Sequence, residues 1–172
     1  KLKFPLGGTY PGNGISGYHF GDWWLGETCI TATGREVRRF HTGTDFRAAS
    51  GDSVYATTDG YVRYAQRDTK WGGYVVIEHE DNTGKWTSAY IHVIPMPDLV
   101  GATNIWVFAG KRIATISPGN TNFNPHLHFQ KRHGTYAGVL DRRGSLPGKD
   151  CGELDKPAFP ERFIDPETLN WE

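Results

Sequence analysis

Seven histidines, at positions 19, 41, 79, 92, 126, 128 and 133, carry most of the chemistry open to this chain. Three placements stand out. In His41-Thr42-Gly43-Thr44-Asp45 the Thr and Gly residues disfavour a helix, so the segment should be extended. Residues i and i+4 of a strand share a face, which points the His41 imidazole and the Asp45 carboxylate the same way. In His126-Leu127-His128 the i, i+2 spacing puts both imidazoles on one face and Leu127 on the other. His92 closes the strand-like run Tyr90-Ile91-His92. Imidazole with carboxylate suits zinc, and a catalytic zinc needs only three protein ligands. Four histidines and one Asp exceed that number, so spare imidazoles remain for proton transfer. Taken singly, a strand histidine is more often a hydrogen-bonded surface or core residue. It is the joint occurrence of these spacings in one small chain that argues for a site. His19, His79 and His133 keep the plain structural reading.

Other metal patterns fit worse. A cupin would place Glu five residues after the second His of His-x-His, where this chain has His133. His41-Thr42-Gly43 lacks the acid of a His-x-Asp/Glu iron site, and no His-Glu-x-x-His helix motif occurs. Neither Gly-x-Ser-x-Gly nor a P-loop is present.

The elements that must position these groups read as β. The chain has 172 residues, with 22 Gly and 10 Pro, a turn-rich composition suited to one domain spanning 1–172. Val54-Tyr55-Ala56-Thr57 and Tyr61-Val62-Arg63-Tyr64-Ala65 flank Asp59-Gly60, which predicts a hairpin. Tyr74-Val75-Val76-Ile77-Glu78-His79 and the run from Trp86 to His92 flank Asp81-Asn82-Thr83-Gly84, which predicts a second. Arg112-Ile113-Ala114-Thr115-Ile116 and His126-Leu127-His128-Phe129-Gln130 bring the expected strands to about six. Short strands with frequent turns predict a mostly β fold of two antiparallel sheets or an open barrel. Residues 1–38 read as an irregular, Gly-rich N-terminal flank with at most one short strand. Residues 39–131 form the β core. Residues 93–107 are too long for a plain turn, and 133–163 is a long loop insertion of the kind that tends to carry function. The C-terminal turn, 164–172, has Asp165 as N-cap and Pro166 at its first helical position.

Lys plus Arg and Asp plus Glu number 19 each, for a net charge of zero. That balance argues against nucleic acid or anionic lipid as partner, since both need a positive excess. No window approaches the ~20 apolar residues of a membrane span. The opening Lys1-Leu2-Lys3-Phe4-Pro5 lacks the apolar run of an export signal. Cys29 and Cys151 are not spaced as a zinc ribbon or redox pair. They are either an intramolecular disulfide, which would imply an oxidising compartment, or two buried thiols. Trp23 and Trp24 are adjacent, so an extended segment turns one outward; tryptophans in loops either pack in the core or stack on a sugar or peptide.

His41-Thr42-Gly43-Thr44-Asp45-Phe46-Arg47-Ala48 resembles the His-x-Gly-x-Asp-x-x-Ala segment of the lysostaphin-type metallopeptidases, the M23 peptidase family. In order, Gly51-Asp52-Ser53-Val54-Tyr55-Ala56, Gly60-Tyr61-Val62, the strands ending at His79 and His92, Ala109-Gly110-Lys111-Arg112-Ile113-Ala114 and Pro125-His126-Leu127-His128-Phe129 resemble its later segments. The resemblance covers 39–131 plus Ile164-Asp165-Pro166. It implies two stacked antiparallel sheets with an open groove, of the duplicated-hybrid-motif type. It implies one zinc ion per chain held by His41, Asp45 and His128, with His92 and His126 as catalytic histidines that do not bind the metal. The implied activity is endopeptidase hydrolysis of peptides in bacterial peptidoglycan, outside the cytoplasm. A catalytically silent wall-binding or regulatory module on the same fold is the alternative; a carbohydrate-binding β-sandwich with incidental histidines is a third reading. The chain departs from the family in the long 93–108 segment, in Asn120-Thr121-Asn122-Phe123-Asn124 in place of a Gly-rich approach, and in Gln130 where an acid often stands. None of these departures is expected to touch a ligand. They bear on the groove walls and so on which substrate is accepted.

Overall fold

The computed structural model describes residues 1–30, 34, 36–136 and 163–172; for 24–27, 29 and 37–40 it describes the backbone only. The chain is mostly β. Its strands are β1 (Trp23–Ile30), β2 (Glu36–Phe40), β3 (Thr44–Phe46) and β4 (Ser53–Tyr55). Then come β5 (Gly60–Asp68), β6 (Gly72–Asp81), β7 (Gly84–Ile91) and β8 (Val93–Pro95). The last four are β9 (Ile105–Val107), β10 (Arg112–Ile116), β11 (Leu127–His133) and β12 (Phe163–Ile164). The larger sheet runs β12-β11-β7-β6-β5-β9, with β3 also pairing β11. The smaller runs β4-β10-β8, and β1 and β2 form a separate ribbon. All these pairings are antiparallel.

Period-two alternation sorts the side chains. Val75 and Ile77 of β6, Tyr90 of β7, and Leu127 and Phe129 of β11 enter one core with Val54, Val93, Ile113 and Ile116 of the smaller sheet. The opposite face of the large sheet carries His128 and Gln130, paired across to Ile91 and Ala89.

The β6–β7 hairpin forms at Asp81-Asn82-Thr83-Gly84, where the Asp81 carboxylate accepts from the Thr83 amide and hydroxyl. The hairpin expected at Asp59-Gly60 does not form: β4 pairs with β10 and β5 with β6 and β9. A two-residue hairpin of that type needs Gly at positive φ, and Gly60 has none. Gly60 is required for space instead. A Cβ there would sit 2.6 Å from the Glu78 carbonyl oxygen and 2.7 Å from His79 Nδ1. The turn is a corner between sheets.

The N-terminal flank is also more regular than expected. Beyond the β1–β2 ribbon, residues 14–18 lie along β3, with Ser16 N donating to Asp45 O and Asp45 N to Tyr18 O. Phe4 is buried in the core, edge-on to Phe46 at 5.1 Å and to Trp171 at 5.7 Å. The 93–107 segment supplies β8 and β9 rather than an unbroken loop. Asp165 caps a 3-10 turn, Pro166–Thr168, by accepting from Glu167 N. Trp23 and Trp106 are 43% and 44% exposed, while Trp86 is buried. The expected insertion at 133–163 lies almost wholly outside the described residues. So do Cys151 and the Cys29 side chain, and with them the choice between a disulfide and two thiols.

His79 is buried beneath Trp86, stacked at 4.0 Å. Its Nδ1–H donates to Asp59 O at 2.7 Å, and Nε2 lies 2.7 Å from Ser88 Oγ. Burial pushes its pKa down to about 4. The folded chain therefore holds it neutral, while the unfolded chain protonates it near pH ~6.5. Its contribution to stability is intact above that value and is lost as pH falls towards 4, reaching about 3 kcal/mol in full. Urea unfolding at pH 7.5 and 5 should show a smaller acid loss in His79→Gln than in the wild type. Equal losses would mean His79 protonates freely in the fold.

Candidate active site

β3 and β11 build the centre. Their register sets His128 directly opposite Asp45, with Leu127 opposite Phe46 and Phe129 opposite Thr44. Opposed strand residues share a face with Cβ atoms close together, so the imidazole and carboxylate meet. His41 arrives from the residues just before β3. The His128 Nδ1 atom lies 3.0 Å from His41 Nε2 and 3.1 Å from Asp45 Oδ1. The third side of the triangle, His41 Nε2 to Asp45 Oδ1, is 3.2 Å. All three residues are buried.

This donor set fits zinc. Ligand atoms at the corners of a tetrahedron around zinc lie about 3.3 Å apart, close to the three sides found here. The tautomers agree. His41 Nδ1–H donates to the His19 carbonyl at 3.2 Å, leaving the Nε2 lone pair for the centre. His128 Nε2–H donates to Gln130 Oε1 at 3.1 Å, leaving the Nδ1 lone pair. Such outer hydrogen bonds are how metal-binding histidines are oriented. Burial alone would raise the Asp45 pKa, but the imidazoles of His126, His128 and His41, protonated toward the carboxylate when no cation lies among them, outweigh it and hold the carboxyl well below its usual range. Three buried electron-pair donors this close repel one another unless a cation or a proton lies among them.

The remaining two histidines sit beside this triangle. β7 ends at Ile91, one residue earlier than the sequence implies, and His92 adopts φ +67°, a left-handed conformation uncommon outside glycine. Three contacts hold it: His92 N donates to Gly73 O, Ser117 N donates to His92 O, and Nδ1–H donates to Trp71 O at 2.9 Å. Its ring stacks on Phe123 at 4.4 Å and lies 4.6 Å from the His126 ring. Burial, then the neighbouring His126, pushes the His92 pKa down to about 3, so the imidazole is neutral with Nε2 as acceptor. His126 precedes β11. Its Nδ1–H donates to Asn124 O at 2.7 Å, and Nε2 lies 3.5 Å from Asp45 Oδ1. Burial would lower the His126 pKa, but the Asp45 carboxylate outweighs it and the net shift is upward. All five residues singled out in the sequence thus meet in one cluster.

Several contributors were not singled out. The expectation that Gln130 touches no ligand is wrong: the same period-two rule that pairs His126 with His128 puts Gln130 on that face, against His128. The carbonyls of His19 and Trp71 are long-range backbone contacts with no sequence signal. Phe123, in the segment that departs from the Gly-rich pattern, covers the His92 ring. Asn120 pins that segment by donating from its side-chain amide to Lys70 O at 2.9 Å.

Gly43 explains the glycine of the His-x-Gly-x-Asp pattern. A Cβ there would lie 2.2 Å from the Phe129 carbonyl oxygen and 2.9 Å from His128 Nε2. Gly43→Ala must therefore push β3 from β11, an overpacking cost of about 1–3 kcal/mol. We expect a folded variant with a lower melting temperature and sharply weaker zinc uptake by elemental analysis; unchanged uptake would mean the strands yield without moving the donors.

The family model for Peptidase family M23 matches residues 39–139. The chain belongs to peptidase family M23. It is 34% identical over 98 residues to the peptidoglycan DD-endopeptidase ShyB of Vibrio cholerae, a match over 57% of this chain and 21% of ShyB. It is 35% identical over 92 residues to the murein hydrolase activator NlpD of Salmonella dublin, over 53% of this chain and 22% of NlpD. The chain thus spans about a fifth of the length of these relatives. Among solved structures it resembles a zinc-containing peptidase from Vibrio cholerae, with a TM-score of 0.55 and 25% identity, over 99% of this chain and 41% of that one. The two-sheet antiparallel architecture is that of an M23 chain.

Proposed function

We propose that this M23 chain is a single peptidase domain that hydrolyses peptide bonds in the cross-links or stem peptides of bacterial peptidoglycan, with one zinc ion. The observation that carries this reading is the triangle of His41, Asp45 and His128 donor atoms with two further imidazoles against it. When bound, zinc supplies a Lewis acid for the scissile carbonyl and brings the pKa of a water in its shell toward ~7. His41 Nε2, Asp45 Oδ1 and His128 Nδ1 would hold it. His92, neutral and anchored through Nδ1–H, accepts the proton of the attacking water at Nε2. His126, anchored through its own Nδ1–H, donates from Nε2 to the oxygen where negative charge develops. One of the two then returns a proton to the leaving amine, and the second proton of the water also ends on that nitrogen, so water and amide become carboxylate and ammonium. Phe123 stacks on the His92 ring at 4.4 Å, and the Trp71 ring lies 6.0 Å from it.

Peptidoglycan lies outside the cytoplasm, and action there is part of the proposal. No helix among the described residues is long and apolar enough to cross a membrane. Peptidoglycan peptides are the proposed partner; nucleic acid is not, given the zero net charge. A second reading has support in NlpD, whose name is that of an activator: a regulatory module without catalysis. The full set of five site residues favours the enzyme. Release of soluble fragments from purified peptidoglycan separates the two. Activity should vanish after chelation and return with added zinc; full activity in metal-free protein, or none in zinc-loaded protein, contradicts the proposal.

A further inference from the structure

Gln130 is 1% exposed and lies two residues beyond His128 on the same strand face. Its Oε1 accepts from His128 Nε2–H at 3.1 Å and from the Thr42 hydroxyl at 3.0 Å. Thr42 sits between His41 and Gly43, so one amide oxygen ties the two ligand-bearing segments together. The direction of the His128 bond matters. With the amide oxygen facing the ring, the proton resides on Nε2 and Nδ1 keeps its lone pair toward His41 and Asp45. With the amide nitrogen facing the ring, the proton would move to Nδ1 and block that atom as a ligand.

We propose that Gln130, held by the Thr42 hydroxyl, is a positioning residue that fixes the His128 tautomer and thereby sets the affinity of the site for zinc. The inference rests on the zinc reading above and deepens it. An uncharged acceptor at this position leaves Asp45 as the only carboxylate among the groups contacting the triangle in the described residues. A carboxylate here would accept from Nε2–H in either orientation and add a negative charge beside the cation. A side chain of similar length with only a weak acceptor, such as the Met thioether, would no longer fix the tautomer.

Zinc dissociation constants, measured by competition with a chromophoric chelator, test this on the wild type, Gln130→Met, Gln130→Glu and Thr42→Val. Loss of an outer hydrogen bond to a metal ligand typically costs 10–100-fold in affinity. We expect ~10–100-fold weaker binding for Gln130→Met, binding at least as tight as wild type for Gln130→Glu, and an intermediate loss for Thr42→Val. Circular dichroism melts of the metal-free proteins show that each is folded. The rescue by Glu is the outcome a purely packing role would not give. Wild-type affinity in Gln130→Met, or equal weakening in Gln130→Met and Gln130→Glu, overturns the inference. A wild-type chain that binds no zinc overturns the zinc reading itself, which is a separate result.

Discussion

His128→Ala is expected to leave the chain folded and without zinc. The three proposed donor atoms lie within 3.0–3.2 Å of one another, and no fourth His, Cys, Asp or Glu ligand atom joins the group among the described residues. Removing one leaves two, fewer than the three that catalytic zinc sites use. His41→Ala and Asp45→Ala should behave alike, with Asp45→Ala also removing the group that His126 faces. Peptidase activity should fall to background in all three, and elemental analysis should find well under one zinc per chain. The contrast with His126 is sharp because the two share a strand end. His126 Nε2 stands 3.5 Å from Asp45 Oδ1, outside the triangle. If His126→Ala strips the zinc while His128→Ala keeps it, the ligand assignment is reversed.

His92 and His126 variants should fail in the other way, keeping zinc and losing turnover. General acid–base catalysis contributes ~10²–10⁴-fold and a single oxyanion donor ~10²–10³-fold. The kcat should fall by a factor in those ranges, with a smaller change in KM, because neither imidazole is needed to hold the ground-state substrate. The φ of +67° at His92 guides the choice of variant. Ala is strained in the left-handed region, whereas Asn tolerates it. His92→Asn therefore separates loss of the imidazole from loss of the turn, and should match His92→Ala in kcat while melting higher. A fully active His92→Asn would make His92 a structural residue and leave the site with one catalytic histidine.

The site was more legible in the sequence than the topology. Strand spacing paired His41 with Asp45 and His126 with His128, although His41 and His126 stand just before β3 and β11 rather than in them; that the two pairs meet depends on the β3–β11 register, which spacing does not reveal. Gln130 obeyed the same rule and was still passed over, since a neutral side chain signals chemistry weakly. His92 stood outside β7 rather than in it, because only the tertiary contacts from Gly73, Trp71 and Ser117 hold its left-handed turn. The Asp59-Gly60 corner looked like a hairpin turn, for glycine serves both positive φ and close approach, and composition does not separate the two. β8, which ends in Pro95, and β9 lay hidden because three-residue strands carry too little pattern. The strap at 14–18 depends on backbone pairing with β3, to which irregular, Gly-rich sequence gives no clue.

Defined muropeptides, digested by the zinc-loaded chain and analysed by mass spectrometry, test the central claim most directly. Each cleavage should add one water across a peptide bond of a cross-link or stem peptide and yield a new carboxyl and a new amine terminus. The glycan chain should be untouched, and the His128→Ala chain and the chelated wild type should both be silent. Cleavage at a glycosidic bond, cleavage that persists without metal, or intact muropeptides in the presence of stoichiometric zinc would contradict the account.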